Sequence, residues 1–346
     1  MSGYAATGIG SLPGTHADEA TRIVAGELPD LPHVVELPAR GPGADMVGRT
    51  MSMLAELAPD LAVETTPLGW RFADAPGRVM RRARSWLAED LDAAEAHYAG
   101  SRLVKAQVCG PWTLCAAVEM RNGERAVRDH GACREIASAL ADAVTEHLRE
   151  LRRRLPATSL ILQVDEPALP SVLAGGVSTA SGIATYRAID PQVAQAHLGS
   201  VVDAVIGSEA TAWIHCCAPR PPVDLMRRAG FVGITTDRAL SVAGQDTEVS
   251  EELGRTLDEG GTLALGVLDP LGEPSSTRED AHAARIAHRI LERLDRWGFS
   301  PEAVSGSIVL TPDCGLAGAD PQRVRAAYRI LREAGRLIRD EGREPA

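Results

Sequence analysis

Three consecutive residues in "TAWIHCCAPR", His215, Cys216 and Cys217, set an imidazole beside two thiols in a chain with six cysteines. Nitrogen and sulfur donors of this kind suit zinc and do not suit magnesium or calcium. On an extended backbone, residues two apart point to the same side. His215 and Cys217 therefore face one way, and Cys216 faces the other, into packing. Further residues of the right chemistry stand at the ends of apolar runs. They are Glu36 and Arg40 in "VVELPAR", Asp165 and Glu166 in "QVDEPAL", Asp237 in "TTDR", Asp269 in "GVLDP", and Asp313 and Cys314 in "TPDCGL". A histidine, two cysteines and one carboxylate make a tetrahedral zinc shell. The competing reading is a hydrogen-bonded core histidine next to a packed cysteine pair. These residues are far apart in sequence, so the fold decides between the two.

Eight apolar runs read as strands: 33–37, 61–66, 103–108, 160–165, 211–215, 232–236, 262–267 and 307–311. The run at 61–66 is short and partly polar. Helix punctuation lies between them. Asp190–Pro191 and Asp320–Pro321 each set a capping carboxylate before a first-turn proline, and Ser276 with Glu279 fits a capping box. The stretch 133–155 has helical apolar spacing and a basic last turn, as the helix dipole prefers. Strands alternating with helices imply a parallel sheet covered by helices. Eight such units predict an α/β (β/α)8 TIM barrel, with a doubly wound open sheet as the alternative. Residues 1–346 are expected to form one barrel domain, since no linker-like or low-complexity stretch divides them. The length beyond a plain barrel is assigned to the N-terminus and to the loops at 66–100 and 169–190. In such a barrel, chemistry sits at the C-terminal ends of the strands, where every polar residue named above would lie.

Composition narrows the function. With 36 basic and 47 acidic residues, a net charge of −11 argues against nucleic acid or an anionic membrane surface as the partner. No apolar run is long enough for a transmembrane helix, and the first residues lack the pattern of a signal peptide. A cytoplasmic location is expected, where thiols stay reduced. Six irregularly spaced cysteines do not form a disulfide framework, and Cys109, Cys115 and Cys133 read as buried packing.

Taken together, the motifs resemble one family. "GIGSLPGT", "VVELPARGPGADMV", "CGPWTL", "QVDEPAL", "IHCC", "ITTD", "GVLD" and "TPDCGL" occur in the order found in the catalytic C-terminal domain of cobalamin-independent methionine synthase. That domain belongs to the superfamily that also holds uroporphyrinogen decarboxylase. The resemblance implies a (β/α)8 barrel with a catalytic zinc that methylates the thiol of homocysteine. It places metal ligands on His215, Cys217, Asp237 and Cys314. It places amino-acid-binding residues on Ser11, Glu36 and Asp165, and Asp165 and Asp269 are candidate catalytic carboxylates. The family's carboxylate ligand is usually glutamate, and Asp237 is one methylene shorter. Leu271 stands where the family has a histidine, and the chain is too short for the family's second, N-terminal barrel. The donor is expected to be methyltetrahydrofolate or a methylcorrinoid, carried by a corrinoid protein. A metal-free decarboxylase and a non-catalytic barrel with a structural zinc are the alternatives.

Overall fold

The computed structural model describes residues 4–236, 247–272 and 279–341. Seven parallel strands form a curled sheet in the order β1 (Ala5–Ala6), β10 (Ile308–Pro312), β9 (Thr262–Leu268), β8 (Gly233–Thr236), β7 (Thr211–Cys216), β6 (Ser159–Asp165) and β4 (Leu103–Cys109). The gap between β1 and β4 is filled by the segment 33–36. It makes a parallel bridge from Glu36 to Ser11 on one side and from His33 to Lys105 on the other. Four amide hydrogen bonds hold it: Glu36 N to Gly10 O and Leu12 N to Glu36 O, Val34 N to Lys105 O and Lys105 N to Pro32 O. The sheet is thereby an eight-stave barrel, as the alternation of strands and helices predicts.

One stave differs from the expected set. Residues 61–66 do not enter the barrel. Val63–Thr66 (β2) pairs antiparallel with Gly69–Phe72 (β3), which pairs in turn with Val118–Glu119 (β5). The reason is composition. A barrel strand is buried on both faces and needs a nearly continuous apolar run, whereas Glu64 and Thr65 are exposed. The missing stave is supplied by the N-terminus, which was expected to be an extension. Ala5 and Ala6 pair with Val309 and Leu310 of β10. The loop at 66–100 carries the rest of the side hairpin and the helix Arg78–Tyr98, and the loop at 169–190 carries the short helix Leu169–Leu173.

Helix signals hold where they are described. The Asp190 carboxylate accepts from Gln192 N, and Asp320 accepts from Arg323 N. The helix His130–Arg154 ends in Arg152, Arg153 and Arg154. Ser276 lies outside the described residues, and the helix that follows runs Glu279–Trp297.

Apolar burial falls into two separate clusters. The larger lies between the staves and the helices. The smaller is built from Ala5, Leu31, Ile161, Trp213, Ala264 and Val309, and it plugs the barrel interior toward the strand starts. Trp213 fits because its cross-strand partner is Gly233, where a Cβ would lie 2.1 Å from the indole. Above this plug the interior turns polar.

Candidate metal centre and amino-acid pocket

Strand alternation places the site. On β7, Trp213 belongs to the plug, His215 lies two residues further on, and Cys217 two further again, just past the strand end. Cys216 points outward into the main core and is fully buried. Cys314 follows β10, and its turn is tied on both sides. Asp313 N donates to Leu268 O (2.8 Å), and Leu316 N donates to Ser11 O (2.8 Å). Gly315 lets that turn close, because a Cβ there would sit 2.0 Å from Ser11 Oγ.

The ligand atoms of His215, Cys217 and Cys314 all lie within 4.8 Å of one another. The two thiols share a hydrogen bond, and His215 adds another to Cys314. These bonds hold Cys314 down to about pKa 4, while the same bond pushes Cys217 up.

A zinc ion with bonds near 2.3 Å to sulfur and 2.0 Å to nitrogen spaces its tetrahedral ligands about 3.3–3.8 Å apart. The observed cluster needs only small side-chain movement to reach that spacing. His215 Nδ1 is buried with no hydrogen-bond partner among the described residues. A buried imidazole that has one nitrogen unsatisfied, and whose ring nitrogen gathers with two soft sulfurs within 4.8 Å, fits a zinc site. Asp237 lies outside the described residues.

Asp165 is the residue paired with His215 across β6 and β7. It is buried, and burial raises its carboxyl to about pKa 7; His215 and Lys105 oppose the rise and Glu36 adds to it. Its Oδ1 accepts from Gln163 Nε2 (2.7 Å). Glu36 is also buried, and burial raises its pKa against the pull of Arg49. The nearest cation to Glu36 is Arg49, at 3.8 Å. Arg40, the ion-pair partner considered from the sequence, instead pairs with Asp90 (2.9 Å) and Glu89. Ser11 is bridged to Glu36, so these two candidate binding residues share one level of the barrel.

Two residues named from the sequence stand apart from this cluster. Glu166 points outward from β6 and caps the helix Pro111–Ala117. It accepts from Trp112 N (2.8 Å), Thr113 N (2.9 Å) and Thr113 Oγ1 (2.7 Å). Asp269 is exposed after β9, and its carboxylate caps its own loop by accepting from Leu271 N (2.9 Å).

Sequence reasoning missed Lys105, Gln107 and Gln163, which form a buried polar layer between the plug and the metal cluster. The available signal was a pair of polar residues two apart on each strand, Lys105 and Gln107 on β4 and Gln163 and Asp165 on β6. On a half-exposed strand that pattern means solvent, but inside a barrel it lines the interior.

A closed β/α barrel carries an imidazole–dithiol cluster at its C-terminal rim, the end at which barrel enzymes place their chemistry. The chain belongs to the cobalamin-independent synthase catalytic-domain family, whose model matches residues 4–336, and it is a methyltransferase by that membership. Among solved structures, it is similar to a B12-independent methionine synthase from Shewanella sp. W3-18-1, described in complex with selenomethionine. Identity is 12%, the match covers 98% of each chain and the TM-score is 0.59, a likeness of fold. A GH5_18 protein from Streptomyces cattleya matches at 14% identity, with 100% and 82% of the two chains covered and a TM-score of 0.49. The catalytic domain of a Bacillus sp. JAMB-750 GH26 endo-beta-1,4-mannanase matches at 13%, with 96% and 93% covered and a TM-score of 0.45. No curated protein sequence matches. Among the described residues, no helix is long and apolar enough to cross a membrane.

Proposed function

We propose that this chain is a zinc-dependent methyltransferase acting on the thiol of homocysteine or a close analogue. The observation that carries the reading is the convergence of His215, Cys217 and Cys314 within 4.8 Å, with Asp165 paired directly to His215. In this reading those three residues hold zinc, and Asp237 supplies the fourth, oxygen ligand. When bound, zinc supplies the Lewis acidity that keeps a thiol deprotonated at neutral pH, where a free thiol near pKa 8.5 is mostly protonated.

The chain's own residues do the rest. Cys217 and Cys314 offset the metal's charge as thiolates, which leaves an acceptor sulfur electron-rich. Glu36 and Asp165 take the ammonium of the amino-acid substrate and aim its side chain at the cluster. Ser11, level with Glu36, completes the amino-acid contacts. The buried plug below excludes water from that side. Asp269, exposed after β9, is kept as the second candidate catalytic carboxylate. The donor is methyltetrahydrofolate or a methylcorrinoid, approaching the C-terminal rim of the barrel, where Leu271 is exposed. Six free cysteines suit a reducing cytoplasm.

The test is to incubate the zinc-loaded protein with homocysteine and, in turn, methyltetrahydrofolate, methylcobalamin and simple methylated thiols. Methionine from at least one donor is expected, with a new zinc–sulfur contact in X-ray absorption when homocysteine is added. No methionine from any donor, with an unchanged zinc spectrum, sinks the reading and favours a closed structural metal.

A further inference from the structure

We infer that Lys105 and Gln163 are positioning residues that make the site select an acceptor with an α-ammonium group; this rests on the reading of Asp165 as an ammonium partner. Lys105 is fully buried in the barrel and cannot serve as a solubilising surface lysine. Its Nζ donates to Gln163 Oε1 (2.9 Å) and to Ile9 O (2.8 Å). An ammonium has donors only, so the oxygen of the Gln163 amide must face Lys105. The Gln163 nitrogen is thereby turned toward Ile9 O (3.0 Å) and Asp165 Oδ1 (2.7 Å). Flipping the amide would oppose donor to donor at Lys105 and acceptor to acceptor at both other contacts. Lys105 thus fixes which way Gln163 points, and Gln163 fixes one oxygen of Asp165.

Among the described residues the other oxygen of Asp165 has no hydrogen-bond donor, and it is left to accept from a ligand. The shared acceptor, Ile9 O, lies two residues before Ser11 on the same strand segment. Lys105 and Gln163 therefore also tie β4 and β6 to the segment carrying Ser11, and hold the two ends of the amino-acid pocket at a set spacing.

The experiment compares two probes on zinc-loaded protein by titration calorimetry: homocysteine, and 4-mercaptobutanoate, which lacks the amino group. Losing the support of a charge-assisted hydrogen bond costs about 10- to 100-fold in affinity. Lys105→Met and Gln163→Met are expected to weaken homocysteine about tenfold or more. Binding of 4-mercaptobutanoate and zinc content should stay within about twofold of wild type, a selectivity that a general loss of packing does not produce. Lys105→Arg, which keeps a donor-only cation, is expected to retain most of the preference. Gln163→Met removes no charge and tests the same relay if Lys105→Met does not fold. Wild type preferring homocysteine, with both variants keeping that preference, overturns the inference alone. Wild type binding neither thiol overturns the reading beneath it as well.

Discussion

Asp165 and His215 are direct cross-strand partners, matched residue for residue on β6 and β7. A candidate metal ligand and a candidate ammonium partner thus stand side by side on a rigid parallel ladder, and neither sits on a loop. Their separation is set by the strand spacing of about 4.8 Å. A substrate held at one is delivered to the other with little freedom to miss.

The metal reading separates two adjacent thiols. Purified wild type should carry about one zinc per chain, as a closed or open four-ligand site requires. Cys217→Ser and Cys314→Ser should lose most of it. Cys216→Ser should keep it, because that thiol points into the core. Metal analysis of the three variants decides, and zinc retained in both Cys217→Ser and Cys314→Ser would end the assignment.

Asp165→Asn keeps the shape of the side chain and removes its charge. The variant should keep its zinc and lose homocysteine affinity by about 10- to 100-fold, the range for a hydrogen bond to a charged group. Equilibrium binding with parallel metal analysis reads both. Zinc loss in this variant would move Asp165 from the substrate's role to the metal's.

Glu166 neighbours Asp165 in sequence and has a different task. Glu166→Ala strands the amides of Trp112 and Thr113 in a buried position and should destabilise the fold by about 3 kcal/mol. Glu166→Gln retains one acceptor oxygen and should cost less. Denaturant titration of both variants gives the order, and equal losses would contradict the capping role.

Acid sensitivity has an identifiable source in His147. Burial, with Arg49 adding to it, holds this imidazole's pKa down to about 3. The unfolded chain protonates near 6.5 and so takes up the proton first as pH falls. His147 therefore contributes stability that is complete above pH 6.5 and is lost on acidification toward 3. Between pH 6.5 and 4.5 the loss is roughly 2–3 kcal/mol at about 1.4 kcal/mol per pH unit. Asp165 and Glu166, both raised to about 7, act with the opposite sign: their contribution is present in acid and fades as pH rises through 7. That contribution is common to both proteins and cancels in the comparison. Urea melts of wild type and His147→Gln at pH 7 and pH 4.5 should show the variant losing less, and parallel losses would refute the assignment.

The barrel and the His215–Cys217 pair were legible in the sequence because each rests on a local rule, whereas Cys314 joined them only through the expected fold and the family resemblance. Strand–helix alternation sets the architecture, and a spacing of two on a strand selects Cys217 over Cys216. The stave at Ala5–Ala6 was not legible, since two alanines before a glycine-rich run carry no period. The run at 61–66 looked like a strand and is one, but its exposed Glu64 and Thr65 assign it to a side sheet. Lys105 in "LVKAQV" reads as a solvated residue on a half-exposed strand. Only closure of the ring turns that face inward. The partnership of Glu36 with Arg49 was hidden for a similar reason, because Arg49 sits in a helix where an arginine ordinarily seeks water.

Trp213 and its neighbours stopper the barrel toward its strand starts, so among the described residues the interior is open to a ligand only from the end that carries His215, Cys217 and Cys314. On the proposed function, an acceptor seated at Glu36 and Asp165 would have to be in place before a methyl donor approached the same rim.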